Sequence, residues 1–169
     1  MRFEAIPAKH YRNTVTKATA SIYGAIPYVG NADKANWVIE STGWTIRDNH
    51  NNTVGFGLGK PFTSESEALQ IAAEMECAAA AGVLRHWLPK SFPGKDFAIL
   101  LNKSQPTGVL VLWRHAALPD EVKVVVDTHL ESAGLEMAST LFSTDGRFAR
   151  FYVVPDGAPY RERSGAKAA

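Results

Sequence analysis

Apolar and polar positions along this chain follow two periods, and the change from one to the other divides it into elements. WVIES (37–41), GWTIRD (43–48) and TVGFGL (53–58) are short β-rich runs. Gly43 separates the first two. NHNN (49–52) separates the second from the third, and because asparagine tolerates positive φ it predicts a hairpin turn. A helical period then takes over from about Ser64 to Ala81, with Ala68, Ile71, Ala72, Met75 and Ala79 on one stripe. Ser64 and Glu67 fit the S-x-x-E capping box at its start, and Gly82 is placed to end it. RHWLPKSFPGKD (85–96), with two prolines, reads as a connector.

FAILLN (97–102) and GVLVLWRHA (108–116) read as buried strands joined through KSQPT. Pro119, Asp120 and Glu121 open a second helix with Val122, Val125, Val126, His129 and Ala133 on its apolar stripe, and Gly134 closes it. MASTLFST, the turn DG and RFARFYVVP form a hairpin signal. The segment YRNTVTKATASIYG (11–24) fits either a helix, with Tyr11, Val15, Ala18 and Ile22 on one face, or a strand. AIPYVGNADKAN (25–36) reads as a loop. The order is β-β-β-α followed by β-β-α-β-β. It predicts an α+β protein, with small antiparallel sheets packed against two main helices. The expected division is an N-terminal lobe over 1–88 and a C-terminal lobe over 96–156, with the alternative of one shared core, and a flexible tail at 157–169.

The stretch GFGLGKPFTSESEA (55–68) poses a question of chemistry. A phosphate loop needs converging backbone N–H groups at a helix N-terminus. Gly59 and Lys60 fit G-x-x-x-x-G-K-[ST], but Val54 stands where its first glycine belongs and Pro61 brings no N–H. The dinucleotide pattern fails at Lys60. Alternating glycines then serve close strand packing. A different pattern, WTIRD…TVGFG…PFTSESEALQIAAEM, resembles the three-strand-plus-helix module of AP2-type and integrase arm-type DNA-binding domains, over about residues 37–80. That resemblance implies a sheet laid on DNA through basic and aromatic side chains. The matching positions here are Trp44, Arg47 and Lys60, with His50 beside them, although Glu40 and Asp48 sit among them.

Composition narrows the partners. The chain has 169 residues, 46% of them apolar, and a formal charge of +1. Nucleic-acid or membrane affinity therefore has no global electrostatic signature and must come from a local patch. One cysteine, Cys77, excludes an intramolecular disulfide and a cysteine-rich zinc site. No run is apolar enough to span a bilayer and the start has no secretory h-region, so a cytoplasmic protein without a membrane partner is expected.

Two local patches stand out. LRHWLPKSFPGK (84–95) interleaves Arg85, Lys90 and Lys95 with His86, Trp87 and Phe92, and contains no acid. Cations of this kind meet phosphates and exposed aromatics stack on bases, while the plainer reading sends Trp87 and Phe92 into the core. In GRFARFYVV (146–154) alternation turns Ala149, Phe151 and Val153 one way and Phe148, Arg150 and Tyr152 the other. Two aromatics flanking an arginine resemble the stacking strip of RNA-recognition sheets, though Arg147 and Arg150 depart from the formal RNP1 order, while the plainer reading buries both faces under helices.

Signals for catalysis are weak. None of the five histidines has metal-ligand spacing, and no G-x-S-x-G is present. Cys77 sits in an Ala-rich helix interior, where it behaves as a small hydrophobe. The sequence points to a non-enzymatic macromolecule-binding domain without cofactor or metal, whose partner is DNA or RNA or a nucleic-acid-processing complex. The alternatives are a protein-binding inhibitor or adaptor of phage or mobile-element type, and a small enzyme. Oligomeric state has no signature in the sequence.

Overall fold

A computed structural model describes residues 1–21, 36–54, 61–102, 108–114, 119–144 and 148–156. The chain is α+β. Its elements are β1 (Phe3–Asn13), β2 (Thr19–Ser21), β3 (Trp37–Asp48), β4 (Thr53–Val54), α1 (Glu65–Ser91), β5 (Phe97–Asn102), β6 (Gly108–Arg114), α2 (Pro119–Ser132), β7 (Met137–Thr144) and β8 (Phe148–Pro155). The strands form two antiparallel sheets, ordered β2-β1-β3-β4 and β5-β6-β8-β7. No helix among the described residues is long and apolar enough to cross a membrane.

The chain divides into two compact units, Phe3–Ala72 and Met1–Arg2 with Ala73–Ala169. The division falls inside α1, whereas the sequence pattern places the whole of residues 1–88 in the N-terminal lobe. The cause is the buried stripe of α1, which continues past the expected helix end and supplies Cys77, Ala80, Ala81, Leu84 and Leu88 to the core of the second sheet.

In the first unit β1 and β3 pair from Phe3↔Asp48 to Asn13↔Trp37. The two runs expected on either side of Gly43 are one strand. Gly43 is not a turn between them. It lies at a bulge, where the register shifts between Ala8 and Lys9, and it takes φ +123°. Residues 11–24 are not a continuous helix over their described part. Asn13 Oδ1 accepts from the N–H groups of Val15 and Thr16, each at 2.9 Å, and this Asx turn ends β1 and leads into β2. At the far end of β3 the expected NHNN turn is present. Buried Asp48 accepts from His50 N–H at 2.9 Å and Asn51 N–H at 3.2 Å, and Asn52 takes φ +51°. Phe3, Ala8, Ile46, Ala68 and Ala72 are buried. Residues 55–60, with the three alternate glycines and Lys60, and the tail 157–169 lie outside the described residues.

The second unit follows the sequence pattern closely. β5 and β6 pair, β7 and β8 pair, and β6 and β8 form the centre. α2 ends in a Schellman motif. Leu135 N–H reaches Leu130 C=O at 2.9 Å, Gly134 N–H reaches Glu131 C=O at 2.9 Å, and Gly134 takes φ +70°. The difference lies in α1, which runs through Gly82 to Ser91. Gly82 lacks the positive φ of a helix-ending glycine. Leu84 and Leu88, fully buried, carry the apolar stripe onward, and the helix stops only before Pro93 and Gly94, the latter at φ +79°. Val109, Val111, Trp113, Ala149, Phe151 and Val153 turn one face of the sheet into the helix-covered core.

Candidate nucleic-acid interface

Of the residues singled out from sequence, Trp44 and Arg47 lie in the first unit, Arg85, Lys90, Lys95 and Arg150 lie in the second, and Lys60 lies outside the described residues. In the first unit, Trp44 and Arg47 project from opposite faces of β3, because they stand an odd step apart along a regular strand. Trp44 is half-buried and its backbone pairs with Phe62, N–H to C=O at 2.9 Å and the reverse at 2.8 Å. Arg47 is engaged by Glu4, with Nη2 donating to Oε2 at 2.5 Å. That hydrogen bond holds the Glu4 carboxyl below its ordinary range, against the opposing pull of burial. The cation of the DNA-contacting strip that the AP2-type resemblance implies is thus paired with a carboxylate of the same sheet.

In the second unit the basic segment 84–95 is mostly the end of α1. Arg85 Nη2 donates to the backbone carbonyl of Ile99 on β5 at 3.0 Å. Trp87 is not a core plug. It is 39% exposed and stacks on His129 of α2, with ring centres 4.2 Å apart and planes 6° from parallel. His86 meets it edge-on at 5.0 Å, and Lys90 Nζ lies 5.2 Å over its ring and donates to His86 Nε2 at 2.8 Å. Phe92 does pack against the core, tilted on Phe97 at 5.8 Å. Lys95 is exposed in the turn after the helix, its N–H bonded to Phe92 C=O at 3.1 Å. The helix side also carries an acid-lined hollow of about 430 Å³ with Asp127, Glu131, Glu136 and Asp156 on its rim, which repels phosphate.

The opposite face of the same sheet has a different character. β8 alternates strictly, with Ala149, Phe151, Val153 and Pro155 buried and Phe148, Arg150, Tyr152 and Val154 half-buried. The two faces expected of that strand from its sequence are the two faces it has. The register adds partners that no single strand discloses. Arg114 lies opposite Phe148, Leu112 opposite Arg150, and Leu110 opposite Tyr152. Arg114 is exposed, and its guanidinium stands 5.9 Å over the Phe148 ring. Tyr152 Oη accepts from Asn102 Nδ2 at 2.8 Å, which fixes the phenol on the sheet. No residue of β5, β6, β7 or β8 is acidic, and the only charges on these four strands are Arg114 and Arg150. Sequence reasoning found Arg150 but missed Arg114. Arg114 ends β6, and only the cross-strand register brings it beside Phe148.

Arg85 and Lys90 therefore belong to the helix layer of this unit and the half-buried Arg150 to the other face of its sheet. They do not form one surface. Comparison of the chain with models of protein families, with curated proteins and with solved structures finds no match.

Proposed function

We propose that the protein binds single-stranded nucleic acid on the face of its second sheet that turns away from the helices. The observation that carries this reading is the arrangement Phe148–Arg150–Tyr152 on a central strand with Arg114 beside it, on a sheet whose only charges are those two arginines. Same-face neighbours on a strand are spaced about 6.6–6.8 Å apart. Rings at that spacing offer π-faces to successive bases, and guanidinium groups between them meet the phosphates. Flat aromatic stacking tolerates any base, so the expected binding is weakly sequence-selective. No catalytic step is part of this role.

Fluorescence anisotropy with short single-stranded DNA, single-stranded RNA and duplex probes tests it. Affinity should fall with salt, with a slope of about −0.7 per phosphate neutralised on a single strand. Changing Arg114 and Arg150 together to Ala should flatten that slope. Phe148→Ala should cost about 1–3 kcal/mol of binding while leaving the slope in place, because stacking is not electrostatic. Changing Lys90 and Lys95 to Ala should have little effect. Binding weaker than about 100 μM at low salt, the ordinary limit of non-specific affinity, would remove the reading and promote that of a protein-binding adaptor or inhibitor.

A further inference from the structure

The second sheet has two edges, and they are built differently. β7, at one edge, is rich in hydroxyls, and its register with β8 shifts between Leu141 and Ser143. Such a bulge twists an edge away from further pairing. β5, at the other edge, has none of these defences. FAILLN contains no charge, no proline and no glycine, and its six residues pair with β6 without interruption. Among the described residues β5 pairs only with β6.

Its exposed side chains point both ways. Leu100 is 51% exposed on the face away from the helices, and Leu101, 40% exposed, lies on the helix side. A partner docked on either face would cover one of them and leave the other in water. A strand added along the edge covers part of both. The backbone is also poised for it. Arg85 reaches the Ile99 carbonyl, which marks Ile99 as a residue whose polar groups turn away from β6. By alternation the N–H and C=O groups of Phe97, Ile99 and Leu101 form the outward row. Arg85 meets one acceptor of that row when no strand is added.

We propose that β5 pairs antiparallel with β5 of a second copy of this chain, joining two four-stranded sheets into one of eight strands. The occupant follows from charge and symmetry. A strand without charge meets its own copy without repulsion, and antiparallel self-pairing about a two-fold axis closes at two chains. Pairing of β5 with β7 of another copy would be heterologous, running on into a ring or a filament instead of stopping at two chains, and the bulge in β7 opposes it. This inference does not rest on the nucleic-acid reading.

Sedimentation equilibrium of the intact protein, from about 1 μM to 1 mM, tests it. The expected result is a monomer–dimer equilibrium. Leu100→Lys, which sets like charges against each other across the pair, should weaken it at least tenfold. Leu101→Pro, which removes an outward N–H that β6 does not use, should do the same. Both should keep the far-UV circular dichroism of the parent chain, and the second serves if the first does not fold. Hydrogen exchange at the amides of Ile99 and Leu101 should slow as protein concentration rises. A chain that stays monomeric over the whole range would overturn the proposal. So would a dimer that neither substitution weakens.

Discussion

The carbonyl oxygen of Phe62 occupies the space that a Cβ at Gly43 would need, and Gly43 holds φ +123° beside it. Any side chain at 43 meets both a backbone atom that cannot swing aside and a conformation that L-residues rarely adopt. Gly43→Ala should therefore destabilise the first unit by about 2–4 kcal/mol. Gly82 is its control. It is exposed within α1, and a methyl group added there would find nothing within 4 Å, so Gly82→Ala should stabilise by about 0.5–1 kcal/mol. Urea denaturation of the two variants should move the midpoint in opposite directions.

Ser64 caps α1 in a modified box. Its Oγ accepts from Glu67 N–H at 3.2 Å, while Glu67 Oε2 reaches back to Thr63, accepting from its N–H at 3.3 Å and its hydroxyl at 3.1 Å. Ser64→Ala should cost about 0.5–2 kcal/mol. Thr63→Val should lose part of the same network, and the double variant should lose less than the sum of the two. Thermal melts of the three variants measure this; strict additivity would show that the two residues act independently.

Cys77 is fully buried in α1, and burial, with Glu76 and Glu74 nearby, pushes its thiol up to about 12. The folded protein should not react with an aromatic disulfide reagent at pH 8, and reaction should follow unfolding. The sign of the pH effect is fixed. The unfolded chain ionises this thiol first, so stability is full below pH 9 and falls as pH rises toward 12. Rapid labelling under native conditions would contradict this.

Glu4 and Arg47 give the opposite sign. Arg47 lowers the Glu4 carboxyl, so the pair's contribution is present above the ordinary glutamate range and is lost as pH falls through the depressed value. Both side chains are about two-fifths exposed, so the contribution is small, under about 1 kcal/mol. In Arg47→Ala, carboxyl NMR should show the Glu4 titration moving up toward its ordinary value.

The second unit was legible because its signals are local. The Gly134 cap and the two-face pattern of β8 each lie within one segment and appear in the structure; the α2 stripe appears in part, with Val122 and Val126 buried, Leu130 added to it, and His129 stacked on Trp87 instead. What failed needed tertiary information. Gly82 and Pro89 are helix-breaking residue types, yet α1 includes both, because burial of Leu84 and Leu88 outweighs a propensity cost of about 1 kcal/mol for glycine. Gly43 separates two β-rich runs in the sequence, and only the close approach of Phe62, which the sequence does not disclose, shows why one continuous strand needs glycine there. The candidate interface divides in the same way. Arg150 was visible in its own strand, whereas Arg114 joins it through a register that no single strand carries.

The register of β1 with β3 has a kinetic side. β5 and β6 are consecutive hairpin strands, as are β7 and β8, so both pairings form across short stretches of chain. β1 and β3 also run antiparallel, but their nearest paired residues, Asn13 and Trp37, are separated by β2 and a long connection. Closing that loop costs chain entropy before any ladder bond repays it. The hairpins of the second unit should therefore gain amide protection first in a pulsed hydrogen-exchange refolding experiment. The first sheet should follow, zipping from the Asn13 turn toward Phe3.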